Sequence, residues 1–359
     1  MSAQIRVHDS PRDVLTALAD DPNADSSATA TALGYLYDLA LTRSSDKPAV
    51  DSTLPDEEAV EIVATAWHED TCRLIYTKLG SSVCKIVSPV DPSRLEAMAS
   101  PFLPTLVRHL LTLSPFRSEP ELLRSITGPQ VLVDGFLTHW PVARIVEPSM
   151  YILPASCSVP PPPSTMPAGH SFERIVDFDS LSRSDISTLA VLMKDFWGDH
   201  STAPKLDHEE TISHIRGMAT REALWLYRAP AQCSNDATDA AYPPVGFVHT
   251  GRPTGRTCAI RGVYVEAAHR GLGIATRMVS LTARAHLAEA PHLVVDWSRP
   301  LEEQTLVHEA TKWGGKSEVC LFVEPHNSSA RRAYERVGFE ISKNLWCDVE
   351  LQGVKPGHW

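Results

Sequence analysis

Apolar and polar positions follow two different periods along this chain. Residues 27–42 set Leu33, Leu36, Leu39 and Leu41 among small residues at helical spacing, which predicts an amphipathic helix. The run CRLIYTKLGSSVCKIVSP reads as two strands joined at Gly80-Ser81-Ser82. PTLVRHLLTL, from Pro104, predicts a buried helix opened by proline, and ITGPQVLVDGFLTHW predicts a turn at Gly128-Pro129 followed by another helix. Further along, FERIVDF predicts a strand, then a helix capped by Ser182 or Ser184 that runs through LAVLMKDFW. Another helix begins near Asp207 and continues to Met218. Strands are expected at ALWLYR (223–228), VGFVHT (245–250) and CAIRGVYVE (258–266), with 229–242 a long loop. A helix follows the glycine turn at 270–273, then a strand, EVCLFV (318–323), and a helix from about Asn327 to Val337. Residues 291–317 break this alternation and suggest an extra strand, LVVDW, and a short helix.

The segment PASCSVPPPPSTMPAG divides the two sets of elements. Pro160 to Pro163 cannot join a helix or a central strand and favour an extended polyproline spacer. With 359 residues, two domains are expected. They are a mixed α/β domain over residues 1–153, a proline-rich linker over 154–170 and a second α/β domain over 171–359. The first domain shows no nucleophile–base spacing and no phosphate loop.

Composition narrows the function classes. Hydrophobic residues make up 43% and charged residues 21%, ordinary values for a soluble globular protein. Net charge is −11, of which residues 1–70 carry −10, so no basic stripe suits nucleic acid. The apolar runs are too short to span a bilayer, and the first residues lack a secretory pattern. The seven cysteines are scattered without a CxxC pair, which points to reduced thiols and a cytoplasmic location. The histidines show no HExxH or HxH spacing, so no metal is expected.

Two runs carry the chemistry. In VYVEAAHRGLGIATRMV an apolar strand ends near Glu266, and Arg270-Gly271-Leu272-Gly273-Ile274-Ala275 opens a helix. Glycines allow a tight turn and close approach of a ligand, and the free amides at a helix start suit an anion such as a pyrophosphate. Neither GxGxxG nor GxxxxGK[ST] is present. In LFVEPHNSSARRAYERVGFE, Asn327 stands at a capping position. Tyr334 follows seven residues later on the same helix face, and Gly338-Phe339 closes the helix. A capped helix with a half-buried tyrosine would account for the second run without any ligand.

Together the runs resemble the GNAT superfamily of acyl-CoA N-acyltransferases. Arg270, Gly273 and Ala275 meet its [QR]-x-x-G-x-[GA] pattern, and Asn327, Ala330, Tyr334, Gly338 and Phe339 meet its later N-x-x-A-x-x-x-Y-x-x-x-G-[FY]. The resemblance covers about residues 171–350 and implies a GNAT fold there. The run ITGPQVLVDGFLTHW, then MYILP, the proline linker and a fresh GNAT start resemble proteins with two GNAT-like halves, in which the first half is degenerate; the first half here lacks both motifs. The resemblance further implies that acetyl-CoA lies where two parallel strands splay. Val263, Tyr264 and Val265 would then offer backbone groups to the pantetheine arm. The amides from Arg270 to Ala275, through Gly271, Leu272, Gly273 and Ile274, would hold the pyrophosphate. Asn327 and Arg331 or Arg332 would meet the arm or the nucleotide end.

Tyr334 matches the family's tyrosine near the CoA sulfur, a general acid for the departing thiolate. Polyamine-acetylating members carry a glutamate nine residues before the motif arginine, where this chain has Arg261. His249, Glu266 and Glu324 are the substitutes considered for the base. Arg261 and Val263, two apart on one strand, are expected to share a face toward the acceptor, and a guanidinium there favours an amine that also bears a carboxylate. The function implied is acetyl transfer from acetyl-CoA to a small-molecule primary amine, with no nucleic-acid or membrane partner. The alternatives are a catalytically idle CoA-binding or protein-interaction module, and an acetyltransferase acting on a protein N-terminus or lysine.

Overall fold

The computed structural model describes residues 3–21, 23–42, 61–80, 83–141, 148–198, 206–230, 242–287 and 315–351. The amino-terminal half runs β1 (Gln4–His8), α1 (Pro11–Leu18), α2 (Ala30–Thr42), β2 (Glu61–His68), β3 (Thr71–Leu79), β4 (Cys84–Val87), α3 (Leu95–Met98), α4 (Leu103–Leu110), β5 (Ser125–Pro129), α5 (Gln130–His139) and β6 (Met150–Cys157). The carboxyl-terminal half runs β7 (Ser171–Ile175), α6 (Arg183–Gly198), α7 (His208–Thr220), β8 (Leu224–Arg228), β9 (Pro244–Gly251), β10 (Thr257–Val265), α8 (Ile274–Leu287), β11 (Glu318–Val323), α9 (Ser328–Val337), β12 (Glu340–Ile341) and β13 (Trp346–Glu350).

Local chemistry sets the helix starts. Ser182, not Ser184, caps α6: its Oγ accepts from the Asp185 amide at 3.0 Å, and Asp185 Oδ2 accepts from the Ser182 amide at 3.3 Å. Asp207 and Glu210 form the same reciprocal box at α7.

Each half repeats one topology. An antiparallel meander (β1–β4, β7–β10) is followed by a strand parallel to its last member: β5 beside β4, β11 beside β10. The last strands are exchanged. β6 pairs with β11 of the other half, from Val319↔Cys157 to Val323↔Leu153, while β13 pairs with β5, from Trp346↔Pro129 to Glu350↔Ser125. β6 and β13 also pair with each other, so one sheet runs through both halves. Pulling the halves apart would expose unpaired backbone along both strands.

Apolar clusters cover both faces. In the amino-terminal half, α4 and α5 bury Leu103, Leu106 and Phe136 on one face, and α1 and α2 cover the other. In the carboxyl-terminal half, α8 and α9 cover one face, with α6 and α7 opposite.

Two segments differ from the expected pattern. Pro154–Cys157, the start of the expected spacer, belong to β6, and the Pro154 carbonyl accepts from the Ser342 amide at 2.8 Å. Gly128-Pro129 ends a strand instead of making a turn, because β5 presses against β4. A Cβ on Gly128 would stand 2.1 Å from the Ile86 carbonyl oxygen, so only glycine fits. LVVDW, the short helix beside it and most of the 229–242 loop lie outside the described residues. Among the described residues, no helix is long and apolar enough to cross a membrane.

Candidate functional site

The parallel ladder between β10 and β11 stops early. Thr257–Ile260 pair with Glu318–Leu321, yet β10 continues to Val265 and β11 to Val323. A bulge at Arg261 marks the change, where the register to β9 shifts between Ile260 and Gly262. Beyond it the ladder to β9 resumes, and the Glu266 amide donates to Val245 at 2.8 Å. Alternation then turns the amides of Gly262 and Tyr264 toward β9, and those of Val263 and Val265 toward the side β11 has left. Of the three residues named for the arm, Val263 and Val265 thus present backbone groups there. Tyr264 instead supplies its ring, under the Arg270 guanidinium at 5.2 Å.

The glycine turn follows directly. Gly271 and Gly273 have φ of +80° and +75°, a region costly for residues with a side chain, and a Cβ on either would meet nothing within 4 Å. Backbone strain here is set beside open space and not beside packing. Arg270 Nε donates to the Val265 carbonyl at 3.0 Å, tying the turn to the strand end. Leu272 projects outward, 56% exposed, while Ile274 is buried and Ala275 packs against the α8 cluster. The Arg277 amide bonds the Gly273 carbonyl at 3.1 Å, so the amides just before it have no acceptor within the helix. The cradle fits a pyrophosphate: open, rich in amides and at the positive end of α8.

The second run lies across the open pair. Asn327 Oδ1 accepts from the Ala330 amide and from Ser329 Oγ, both at 3.0 Å, which is helix capping. Arg331 turns back to the Pro325 carbonyl at 3.2 Å, whereas Arg332 is exposed. Gly338, at φ +103°, ends α9 in the left-handed form. Tyr334 is half-buried against the α8 and α9 core, and no hydrogen bond holds its hydroxyl among the described residues. Burial pushes its phenol up to about 12, so it carries its proton at neutral pH.

The base candidates separate. His249, on β9, is held well below the ordinary imidazole value by burial and then by Arg261, which keeps it neutral. Glu324 pairs with the exposed His326 at 3.1 Å in the β11–α9 turn, and Glu266 pairs with His269 at 3.0 Å. Arg261 and Val263 do not share a face: the bulge between them reverses the alternation. Val263 packs with the α8 cluster, while Arg261 sits among Arg252, Tyr35, Arg221 and Asp38 on the side of α2, α6 and α7.

A cavity of about 560 Å³ lies between the halves, bordered by Asp25, Arg73, Arg94 and Arg256. It touches Thr257 and Glu318, the first residues of β10 and β11, and so opens at the end of the strands away from the glycine turn. Among the described residues, no group of three or more His, Cys, Asp or Glu side chains could hold a metal ion.

A family model described as the acetyltransferase (GNAT) family matches residues 193–293, which contain the bulged strand and the glycine turn. The carboxyl-terminal half is a GNAT-type domain. The amino-terminal half is an additional domain. Among solved structures, a Drosophila protein is similar over 99% of this chain and 100% of its own, with a TM-score of 0.50 and 9% identity. A GCN5-related N-acetyltransferase from Sphaerobacter thermophilus aligns over 99% and 98%, with a TM-score of 0.49 and 13% identity. A tandem GNAT protein from the clavulanic acid biosynthesis pathway aligns over 97% and 98%, with a TM-score of 0.44 and 12% identity. No curated protein matches the chain.

Proposed function

We propose that the chain transfers an acetyl group from acetyl-CoA to the primary amine of a small molecule at the open end of the β10–β11 pair. The observation that carries this reading is the glycine turn. Two left-handed glycines face open space at the start of α8, directly after the strand whose ladder to β11 has ended.

Acetyl-CoA supplies an activated thioester carbonyl. The turn from Arg270 to Ala275 holds the pyrophosphate, and Asn327 and Arg332 face the arm and the nucleotide end. The Val263 amide donates where negative charge develops on the carbonyl oxygen, without reorganising. As the amine nitrogen bonds the carbonyl carbon and the carbon–sulfur bond breaks, Tyr334 gives its proton to the thiolate. The amine's proton leaves to a base, with neutral His249 or Glu324 in that role. Arg261, on the acceptor side, pairs with a carboxylate on the substrate.

The test is acetyl-CoA turnover against amines, amino acids and peptides. The reading expects acetylation of a small amine. CoA binding without turnover on any acceptor would leave a binding module instead, and turnover confined to peptides would make the substrate a protein.

A further inference from the structure

The amino-terminal half reaches the acceptor side of the site through α2. Ala30 packs with Ala259 of β10 and Cys320 of β11 in one apolar contact. One turn on, Gly34 lies against the backbone of Arg252, and a Cβ there would come within 2.4 Å of the arginine's Cβ. Arg252 itself stands at φ +51°, a conformation that costs a non-glycine residue. Gly251 makes the matching space for Arg261, whose Cδ lies 2.8 Å from where a Cβ would be. Two glycines, one from each half, therefore clear room for two arginines.

Those arginines converge on one ring. Arg252 donates to the Tyr35 hydroxyl and lies 5.6 Å from the ring centre. Lys85 of β4, only 5% exposed, sets its Nζ 4.4 Å from the same ring. Arg261 and Arg221 complete the cluster, and the carboxylates that face it are Asp38 of α2 and Asp348 of β13. His214 and His249 border it on the side of α7 and β9. Among the described residues, four cations thus meet two carboxylates. The Arg252 Nε is buried without a hydrogen-bond partner, and Arg261, which solvent reaches, has no hydrogen bond or ion pair among the described residues. A contact that only joined the halves would pair its charges, since like charges in a cleft repel. An excess of donors beside the acyl-transfer strand is what an oxyanion needs.

We propose that α2 completes the acceptor pocket, and that Tyr35, Lys85, Arg252 and Arg261 together grip an oxyanion, carboxylate or phosphate, carried by the acceptor amine. The proposal rests on the acyltransferase reading for its place in the reaction, and it gives the amino-terminal half a role in substrate selection. Tyr35 also reports on the cluster. Burial raises its phenol, but Arg261, Arg252 and Lys85 outweigh that and hold it below the ordinary tyrosine value. An anion seated among the cations must weaken their pull.

The experiment is an ultraviolet titration of phenolate absorbance on the full chain, alone and with saturating succinate or inorganic phosphate. We expect one tyrosine to ionise early, to be absent in Tyr35→Phe, and to ionise later when either anion is added. In Arg252→Met the anion effect should vanish. If acetyl transfer is found, KM for carboxylated or phosphorylated amines should rise about tenfold or more in Arg252→Met and Lys85→Met. KM for the corresponding neutral amides and the acetyl-CoA affinity should stay within about twofold. Where Lys85→Met does not fold, Tyr35→Phe, which keeps the ring, takes its place. No anion-dependent shift of the early tyrosine, or an equal change in KM for charged and neutral amines, overturns the proposal. Absence of acetyl transfer with the anion shift intact overturns the acyltransferase reading alone.

Discussion

The two halves place the same elements around a parallel strand pair, and they fill the end of that pair differently. In the carboxyl-terminal half the ladder stops at Ile260 and Leu321, and two left-handed glycines face open space. In the amino-terminal half the β4–β5 ladder joins only Cys84–Lys85 to Ile126–Thr127, yet the strands stay close beyond it, with Gly128 pressed on the Ile86 carbonyl. After β4 the chain reads Ser88-Pro89-Val90-Asp91-Pro92, with no glycine turn, and Asp91 caps the short 3-10 turn that follows. Asp91 Oδ1 accepts from Ser93 Oγ at 2.5 Å and from the Ser93 amide at 2.8 Å, bonds that hold it below the usual carboxylate range. The ten-residue helix after the second parallel strand differs as well. Tyr334 is the seventh residue of α9, and Phe136 is the seventh of α5. Phe136 is fully buried and stacks on Tyr76 at 5.6 Å and on Trp140 at 5.3 Å. One frame can hold a cleft or a core there, and the choice rests on a few side chains.

The largest expected effect is at Tyr334. Tyr334→Phe should lower kcat by about 10²–10⁴-fold, the usual loss of a general acid, with acetyl-CoA affinity and melting temperature little changed. Because burial holds that phenol near 12, the wild-type kcat profile should show no descending limb from Tyr334 up to about pH 10. A limb centred near pH 8 would contradict this. The mirror change, Phe136→Ala, should cost about 3–5 kcal/mol of stability by denaturant unfolding, as cavities left by buried phenylalanines do, and should leave acetyl-CoA affinity unchanged. A loss of affinity in a folded Phe136→Ala protein would mean that the amino-terminal pair also serves the cofactor. Gly273→Glu comes third. A side chain in the left-handed region costs about 1–2 kcal/mol. A carboxylate facing a pyrophosphate adds repulsion, so Kd measured by calorimetry should rise on the order of a hundredfold.

Much of this contrast could be read in the sequence because it rests on local chemistry. Gly271 and Gly273 beside a helix start, Asn327 as a cap and Gly338 as a stop each act within a turn of their own position. The start of α7 near Asp207 was legible for the same reason, whereas the sequence left the cap of α6 open between Ser182 and Ser184. What could not be read depends on distant partners. β1, β2, β5 and β13 carry no such local signal, and β13 owes its place to β5, more than two hundred residues away. Pro154–Cys157 look like the start of a spacer until β11 and β12 supply their ladders. The bulge at Arg261 carries no local signal, and it moved that side chain to the face opposite Val263. Nothing in the segments around Tyr35 and Lys85 signals the arginines beside them, Arg252 and Arg261. A glycine at 34 within a helical pattern was the one clue to that close approach.

The asymmetry between the halves is tested most directly by the binding stoichiometry of acetyl-CoA on the intact chain, measured by titration calorimetry on wild type and on Gly273→Glu. One molecule per chain is expected, with binding lost or weakened on the order of a hundredfold in the variant. Two molecules per chain, or one molecule bound with unchanged affinity in a folded Gly273→Glu protein, would contradict the assignment of the cofactor to the carboxyl-terminal glycine turn.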